Sequence, residues 1–523
     1  MDTIFKVDGK PFFPIGGQSM NSSPYKQEDI NVFWKALEVM HGNTGEVPIY
    51  WEAVEPEEDR YDFTLVDSLI HSAREKNFKL IFLWFGTWKN GTMKYSPAWV
   101  KKDTARFKRV ISHDGFALSV LSTHCKANFD ADSKAFCAVM EHIKQVDGKE
   151  GTVIAMQVEN EPGIIGRSSR DHGPEAENQF RSPVPTGLLE VVKGKSDSPT
   201  HAIWKQYGAK SMGNWTEIFG GEASELFTAW SIASYIDGIA EAGKKVLDLP
   251  MYTNVWLDKQ GWNMAGLDYP CGGAVPKTLD IWKWAAPNLD IISPDIYIGN
   301  PEVYSSYCSA YDREDNALFI PESDCRRGYN NWLNMFYALG KYHAIGYFSF
   351  GIEHVLLQDG TVNPKYATLV GSFRSASSVL PLLLKYRGTG KIHTVIQCEQ
   401  ILEQRLDLGD YKGLVLFGYD RTDFLHRYPG MDQERGCGLV IQTGDNEFYV
   451  LGTGFTVSFR KMYTEVDYAE NKLERCNNYL TVEEGRFGSN GEWICSRIRS
   501  GDESDSGIWV YNDVGAVRVI ICD

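Results

Sequence analysis

An alternation along residues 12–384 constrains the fold most. Short apolar runs rich in β-branched and aromatic residues alternate with stretches of helical periodicity, giving eight strand–helix pairs in about 385 residues. The run KLIFLWF at 79–85 is continuously apolar, as expected of a strand buried on both faces of a parallel sheet. Eight pairs favour a (β/α)8 barrel, the TIM barrel, over a doubly wound sheet. A dinucleotide-binding fold would also need G-x-G-x-x-G after the first strand, and Gly16-Gly17-Gln18 does not supply it.

The predicted elements of this α/β region follow one another with two long interruptions. The predicted strands are 12–18, 47–51, 79–85, 152–158, 251–256, 289–297, 318–322 and 345–350. The predicted helices are 27–40, 64–76, 133–146, 223–247, 277–286, 302–313, 329–342 and 366–384. The long connections 86–132 and 162–221 both follow strands, which places them at the face where barrel enzymes keep their active sites.

The sequence pattern changes near residue 388, where the alternation of predicted strands and helices ends. Short strands separated by Gly-rich turns are predicted at 392–398, 411–418, 438–443, 447–452, 455–460, 480–483, 508–511 and 516–522. We therefore predict a catalytic (β/α)8 barrel at 1–387 and an all-β, sandwich-like accessory domain at 388–523.

Charge and composition exclude several classes of function. Lys and Arg number 53 against 69 Asp and Glu, a net charge of −16, which argues against a nucleic-acid partner and against binding to an anionic membrane. The chain has no H-E-x-x-H and no C-x-x-C, so neither a metal nor another cofactor is expected. No apolar leader segment is visible, which predicts a cytoplasmic location, or a periplasmic or secreted one if a signal peptide has been removed.

Two carboxylates follow strands that face each other across an eight-stranded barrel. Glu161 follows the fourth predicted strand, and Glu322 ends the seventh. Paired carboxyl groups at the mouth of a barrel are typical of glycoside hydrolases. One protonates the leaving oxygen, and the other attacks the anomeric carbon or activates water. Glu159 is not separated from Glu161 by strand alternation, because residues two apart lie on one face.

Motifs in order along the chain carry a family resemblance. They include YWEAVEPEEDRYDF at 50–63, LWFGTWKNG at 83–91, QVENEPG at 157–163, SPDIY at 293–297, FIPE at 319–322 and GLVIQTGDNEFYVLGTGF at 438–455. With these motifs the chain resembles retaining glycosidases of the large clan with catalytic glutamates on strands four and seven. More closely, it resembles bacterial β-galactosidase-like proteins of glycoside hydrolase family 35 that carry a β-rich C-terminal domain.

The resemblance implies roles for four residues. Glu161 is then the general acid/base and Glu322 the nucleophile. Asn160 would hydrogen-bond the sugar 2-hydroxyl, and the Tyr297 hydroxyl would donate to the nucleophile. A retaining pair would stand roughly 5–5.5 Å apart, against roughly 6.5–9.5 Å for an inverting pair.

Other residues at strand ends are candidates for contact with the sugar. An aromatic face suits the C–H face of a pyranose, which makes Trp88 the foremost candidate platform, with Trp51, Trp84 and Trp256 beside it. Residues expected to read hydroxyls are Gln18, Asn254 and Glu353. Phe350 stands at the end of strand eight, where many relatives carry tryptophan, and Gln18 stands where a glutamate is expected.

The sequence therefore predicts a retaining exo-β-glycosidase, most simply a β-galactosidase that hydrolyses terminal β-galactosides of oligosaccharides or polysaccharides. Two alternatives stay open. One is a retaining enzyme for another sugar (mannoside, glucoside, xyloside or arabinoside) or a transglycosidase. The other is a carbohydrate-binding protein on a degenerate barrel. Self-association is left open.

Overall fold

A computed structural model of the chain describes residues 4–324, 331–398, 401–417, 435–461, 474–476, 478–511 and 513–522. Up to residue 350 the strands are β1 (Phe5–Val7), β2 (Lys10–Phe12), β3 (Ile15–Gln18), β4 (Thr44–Tyr50), β5 (Lys79–Lys89), β6 (Arg109–Ile111), β7 (Ala117–Leu121), β8 (Val153–Asn160), β9 (Met251–Trp256), β10 (Ile291–Asp295) and β11 (Tyr347–Phe350).

The helices up to residue 386 lie between these strands and after the last of them. They are α1 (Gln27–Val39), α2 (Trp51–Val54), α3 (Thr64–Glu75), α4 (Ala98–Lys102), α5 (Lys126–Asp147), α6 (Pro174–Arg181), α7 (Thr186–Gly194), α8 (Pro199–Gln206), α9 (Trp215–Phe219), α10 (Ala223–Val246), α11 (Leu279–Ala285), α12 (Pro301–Tyr311), α13 (Asn331–Phe336), α14 (Ala367–Ser377) and α15 (Leu380–Tyr386). The predicted helix 329–342 begins outside the described residues, and after α13 it continues as a π-helical turn, Tyr337–Lys341.

Seven strands form a curled parallel sheet in the order β10-β9-β8-β5-β4-β3-β11. β5 and β8 are buried along nearly their whole length, as their continuous apolar runs predict for strands covered on both faces. The long predicted connections are not bare loops. Residues 86–132 hold α4 and the β6–β7 hairpin, and residues 162–221 hold α6 to α9.

The predicted seventh strand, 318–322, closes the ring through single parallel bridges rather than a regular ladder. Ile320 pairs with Tyr347, and Ser323 pairs with Ile296. Pro321 lies between them and has no backbone N–H to give, so a continuous ladder is interrupted there. The closure confirms the predicted (β/α)8 barrel.

The chain beyond residue 388 is mostly antiparallel β-structure. Its strands are β12 (Ile392–Ile396), β13 (Glu403–Leu408), β14 (Tyr411–Phe417), β15 (Cys437–Gln442), β16 (Glu447–Thr453), β17 (Phe455–Lys461), β18 (Glu474–Cys476), β19 (Tyr479–Phe487), β20 (Trp493–Ile498), β21 (Ile508–Val510) and β22 (Ala516–Ile521), with a short helix α16 (Gly501–Ser504). The predicted strand 411–418 ends one residue outside the described part. β13, β18 and β20 were not predicted.

These strands form two sheets. One has the order β12-β15-β16-β22-β19-β20, and the other runs β13-β14-β17-β18 with β21 beside β17. Val440 packs into the core between the sheets, whereas its neighbours Leu439 and Ile441 join the core of the barrel helices. The first sheet is therefore buried on both faces, and it attaches the sandwich to α14 and its surroundings.

Among the described residues no single helix is both long and apolar enough to cross a membrane, and one bent pair, 364–377 with 380–386, meets the length and composition test.

Candidate active site

The carboxyl ends of the barrel strands surround a cavity of about 380 Å³. Its lining includes both predicted catalytic glutamates, Glu161 and Glu322. Residues from the ends of β5, β9, β10 and β11 also reach it: Lys89, Trp256, Asp295 and Phe350. The site thus lies at the face on which barrel enzymes do their chemistry.

Glu161 is held by two asparagines. Its backbone N–H donates to Asn254 Oδ1 at 2.7 Å, and Asn90 Nδ2 donates to its carboxyl oxygen Oε2. Burial raises the pKa of Glu161 to about 7, and the nearby Glu322 adds to the rise. A carboxyl group with a pKa near 7 can give a proton and take one back at neutral pH.

Glu159 does not compete with Glu161 for the catalytic position. Its carboxylate accepts the backbone N–H groups of Thr87 at 3.0 Å and Trp88 at 2.6 Å, behind the strand ends. Burial, with Asp132 beside it, raises the pKa of Glu159 well above its usual range. Glu159 and Glu161 have φ angles of 65° and 45°, which break the strand alternation that would put both on one face.

Glu322 receives two hydrogen bonds. The Tyr297 hydroxyl donates to Oε2 at 2.6 Å, and Asn254 Nδ2 lies 3.3 Å from Oε1. Both bonds fix the direction of the carboxyl group. The predicted contact between Tyr297 and Glu322 is therefore present in the structure.

Asp295 is a third carboxyl group that sequence reasoning missed. One oxygen from each of Glu161, Asp295 and Glu322 lies within 4.8 Å of the others. Asn254 Nδ2 donates to Asp295 Oδ2 at 2.7 Å. Burial, with Glu322 and Glu161 beside it, raises the pKa of Asp295 well above its usual range. The available signal was its position in SPDIY, at the end of a strand and two residues before Tyr297.

Lys89 is a second residue that was missed. It ends β5, is 5% exposed and lies over the Phe85 ring at 4.4 Å. Burial lowers the pKa of Lys89, while Glu322, Glu161 and Asp295 oppose the lowering. Three oxygens this close have a geometry that can hold a cation, but the ammonium group beside them disfavours a divalent ion.

Asn254 and Asn160 form hydrogen bonds with neighbouring side chains at the site. Asn254 bonds Glu161, Asp295 and Glu322, so it orders the carboxyl groups and has no group left to read a sugar hydroxyl. Asn160 Oδ1 accepts from Gln157 Nε2 at 3.1 Å, whereas its Nδ2 has no partner among the described residues. Asn160 is fully buried and is not among the residues that line the cavity.

The predicted aromatic platforms separate into two groups. Trp256 and Phe350 line the cavity, as does the partly exposed Tyr297. Trp51, Trp84 and Trp88 are at most 1% exposed and belong to the barrel core.

Trp88 was the foremost candidate platform, and its prediction is corrected. Its ring packs edge-on against Tyr235 of α10 at 5.2 Å, behind the strand ends. Trp84 and Trp51 donate their indole N–H groups to Asp132 and Glu55, away from the cavity. A buried ring has no face left for a pyranose.

Gln18 and Glu353 also lie away from the cavity lining. Gln18 is fully buried, and its side-chain oxygen and nitrogen have no partner among the described residues. Glu353 accepts the Met20 backbone N–H at 2.9 Å and the Ser23 hydroxyl at 2.6 Å, which ties the segment after β11 to the loop after β3. Neither residue contacts the site as predicted.

A closed (β/α)8 barrel with adjacent carboxyl groups at the ends of its fourth and seventh strands defines the class of barrel glycoside hydrolases. The chain belongs to the glycoside hydrolase 42 family, whose model is described as beta-galactosidase and matches residues 25–335. The family-35 resemblance is not supported, and it is replaced by family 42 within the same kind of fold. A second model, described as a domain of unknown function, DUF5597, matches residues 369–511.

Solved structures of similar fold share little sequence with the chain. A β-galactosidase from Bacillus circulans sp. alkalophilus is 15% identical, with 73% of this chain and 57% of that one covered and a TM-score of 0.47. A β-galactosidase from Rahnella sp. R3 is 16% identical, with 76% and 59% covered and a TM-score of 0.48. An exo-β-1,4-mannosidase from Opitutaceae bacterium strain TAV5 is 13% identical, with 72% and 62% covered and a TM-score of 0.44.

The chain thus spans less than two thirds of the length of these proteins. No curated protein matches it.

Proposed function

We propose that the protein is a retaining β-glycosidase that releases terminal β-galactosyl residues, with Glu161 as acid/base and Glu322 as nucleophile. The observation that carries the proposal is the approach of the two carboxyl groups, whose oxygens lie within 4.8 Å. An approach this close favours a retaining pair, whose carboxyl groups stand roughly 5–5.5 Å apart, over an inverting pair at roughly 6.5–9.5 Å.

The surroundings of each glutamate support its role. Tyr297 and Asn254 donate to Glu322 and so hold the attacking carboxyl group in a fixed direction. With a pKa of about 7, roughly half of Glu161 is protonated at neutral pH and more below it, so the group can protonate the departing oxygen. The proposal assigns the sugar 2-hydroxyl to Asn160 Nδ2, which has no partner among the described residues, since such a contact strengthens in the transition state.

The galactoside assignment rests on membership of a family described as beta-galactosidase. Action on a terminal sugar is supported by the size of the cavity, about 380 Å³, which lies in the lower part of the range for small-molecule sites. Trp256 and Phe350 supply the apolar surfaces on which a pyranose can pack.

The test is release of the aglycone from a panel of aryl β-D-glycosides by wild type, Glu161→Ala and Glu322→Ala. Glu302→Ala, an exposed glutamate on α12, is the matched control. We expect galactoside turnover by wild type and the control, and loss of about 10³-fold or more in Glu322→Ala. NMR of the first-formed sugar should show the β-anomer.

The outcomes separate the alternatives. Turnover of a different sugar, lost in Glu322→Ala, keeps the mechanism and rejects the galactoside. If the α-anomer is the first sugar released, the retaining mechanism is rejected. Binding of sugars without turnover of any glycoside would show a carbohydrate-binding protein.

A further inference from the structure

Four ionisable side chains share the buried centre of the site. Glu161, Glu322, Asp295 and Lys89 are 6%, 5%, 3% and 5% exposed. Water screens charges weakly at such a place, so an unbalanced charge in the group is costly. The four are called the charge cluster below. Two catalytic glutamates alone do not explain why it also holds a lysine and a third acid.

We propose that Lys89 is the fixed counter-charge of the catalytic cycle, which balances Glu322 in the free enzyme and Glu161 in the glycosyl–enzyme intermediate, while Asp295 stays protonated throughout. The inference rests on the proposed function and assigns positioning roles to two residues that this function does not use.

The net charge of the charge cluster stays at zero when the glycosyl–enzyme intermediate forms. In the free enzyme Lys89 is positive, Glu322 is negative, and Glu161 and Asp295 each hold a proton, so the cluster is neutral. Glu322 then forms an ester bond to the anomeric carbon as the bond to the leaving oxygen breaks, and the Glu161 proton goes to that oxygen. Glu322 is now neutral and Glu161 negative, so the cluster is neutral again.

Hydrolysis reverses the exchange. Glu161 takes a proton from water, the water oxygen bonds to the anomeric carbon, and the ester bond breaks with its electron pair returning to Glu322. One positive and one negative charge are again present. The net charge of the cluster is zero in each state only if Asp295 never ionises.

The contacts of Asp295 agree with a protonated carboxyl group. It lies within hydrogen-bonding reach of Glu161, and two carboxyl groups attract each other only when one holds a proton. Asp295 Oδ1 has no other donor from the described protein, so a negative charge there would be left unsolvated. Among the described residues, Asn254 is the one donor to Oδ2.

Among the residues that the structure describes, the other titratable groups facing the cluster supply no second buried counter-charge. Burial raises the pKa values of Glu46 and Tyr252, which lie beneath it in the barrel and stay neutral. Tyr297 donates its proton to Glu322. Lys94 and Lys259 are exposed, so water screens their charges.

The decisive experiment compares Lys89→Met, which removes the charge, with Lys89→Arg, which keeps it. The readout is the pH profile of kcat/KM on the aryl β-glycoside that wild type cleaves best. The basic limb of this profile is the pH range in which activity falls as Glu161 loses its proton. Lys89 lowers the pKa of Glu161, so removal of Lys89 should move the basic limb to higher pH by about one unit. Lys89→Arg should leave the limb within about 0.3 units of wild type.

A merely structural role for Lys89 would lower activity without moving the limb, so an unmoved limb in Lys89→Met overturns the proposal. An upward shift in Lys89→Arg as large as that in Lys89→Met overturns it too, because the charge is kept. Thermal melting curves show whether each variant is folded.

Asp295→Asn tests the second half independently of Lys89. If Asp295 is protonated throughout, the neutral amide lowers kcat but leaves the basic limb in place. If Asp295 is ionised in the working enzyme, removing its charge moves the limb to lower pH by about one unit, which refutes the inference.

Failure of the proposed function looks different. Wild type that cleaves no aryl β-glycoside, or Glu322→Ala that cleaves as fast as wild type, rejects the function and this inference with it. Turnover that is lost in Glu322→Ala while the limb stays fixed in Lys89→Met rejects this inference alone.

Discussion

Replacing Glu322 by Gln should lower the pKa of Glu161, because it deletes the negative charge that disfavours ionisation of Glu161. The two carboxyl groups have oxygens within 4.8 Å. Coulomb's law at that distance gives about 3.5 kcal/mol at an effective dielectric constant of about 20, and about 0.9 kcal/mol in bulk water. At about 1.36 kcal/mol per pKa unit, these limits correspond to about 2.5 and about 0.6 units.

Burial is the larger cause of the raised pKa of Glu161, so the share of Glu322 lies toward the lower limit. We expect a fall of about one unit in Glu322→Gln, from about 7 to about 6. The variant is expected to be nearly inactive, so the assay is a ¹³C NMR titration of protein labelled at the glutamate carboxyl carbons. Glu161→Gln, which lacks the signal, assigns it.

A fall in the pKa of Glu161 in Glu322→Gln is the result that the reasoning requires. A pKa of Glu161 that stays near 7 in Glu322→Gln would show that burial alone sets it. The acid/base and the nucleophile would then not be electrostatically coupled, which refutes the reasoning from their distance.

Further expectations follow from the same geometry. In wild type, kcat/KM should fall as the pH rises through about 7, because the first step needs the protonated form of Glu161, and a basic limb well above 8 would contradict this. Tyr297→Phe should lower kcat by roughly 10- to 100-fold, since it removes a 2.6 Å bond to the charged Glu322 that is worth about 1.5–3 kcal/mol, and an unchanged kcat would contradict it. Trp88→Ala should lower the free energy of unfolding by about 3–5 kcal/mol in urea titrations, because the ring is fully buried. Trp256→Ala, at the cavity, should mainly raise KM with little change in stability, and the reverse pattern would restore Trp88 as the platform.

The alternation of apolar and amphipathic segments was sufficient to predict the barrel. A parallel strand covered on both faces must be apolar throughout, and a helix on its outside must be apolar on one side only. The break at Pro321 was readable in principle, since proline cannot donate to a ladder. The edge strands β13, β18 and β20 were missed because strands of three to six residues carry little periodic signal.

The positions of Glu161 and Glu322 were also predictable, because a barrel brings the carboxyl ends of its strands to one face whatever the helices between them contain. The sequence did not decide between Glu159 and Glu161. That choice depends on two left-handed backbone conformations, which turn one side chain behind the strand ends and the other into the cavity.

The sequence by itself thus determined the class of fold and the two carboxyl groups, because both follow from local patterns and from the closure of a parallel sheet. Only the tertiary structure decided which aromatic rings face the cavity and that Asp295 and Lys89 join the glutamates. Those outcomes depend on how side chains from strands far apart in the chain share a few ångströms of buried space.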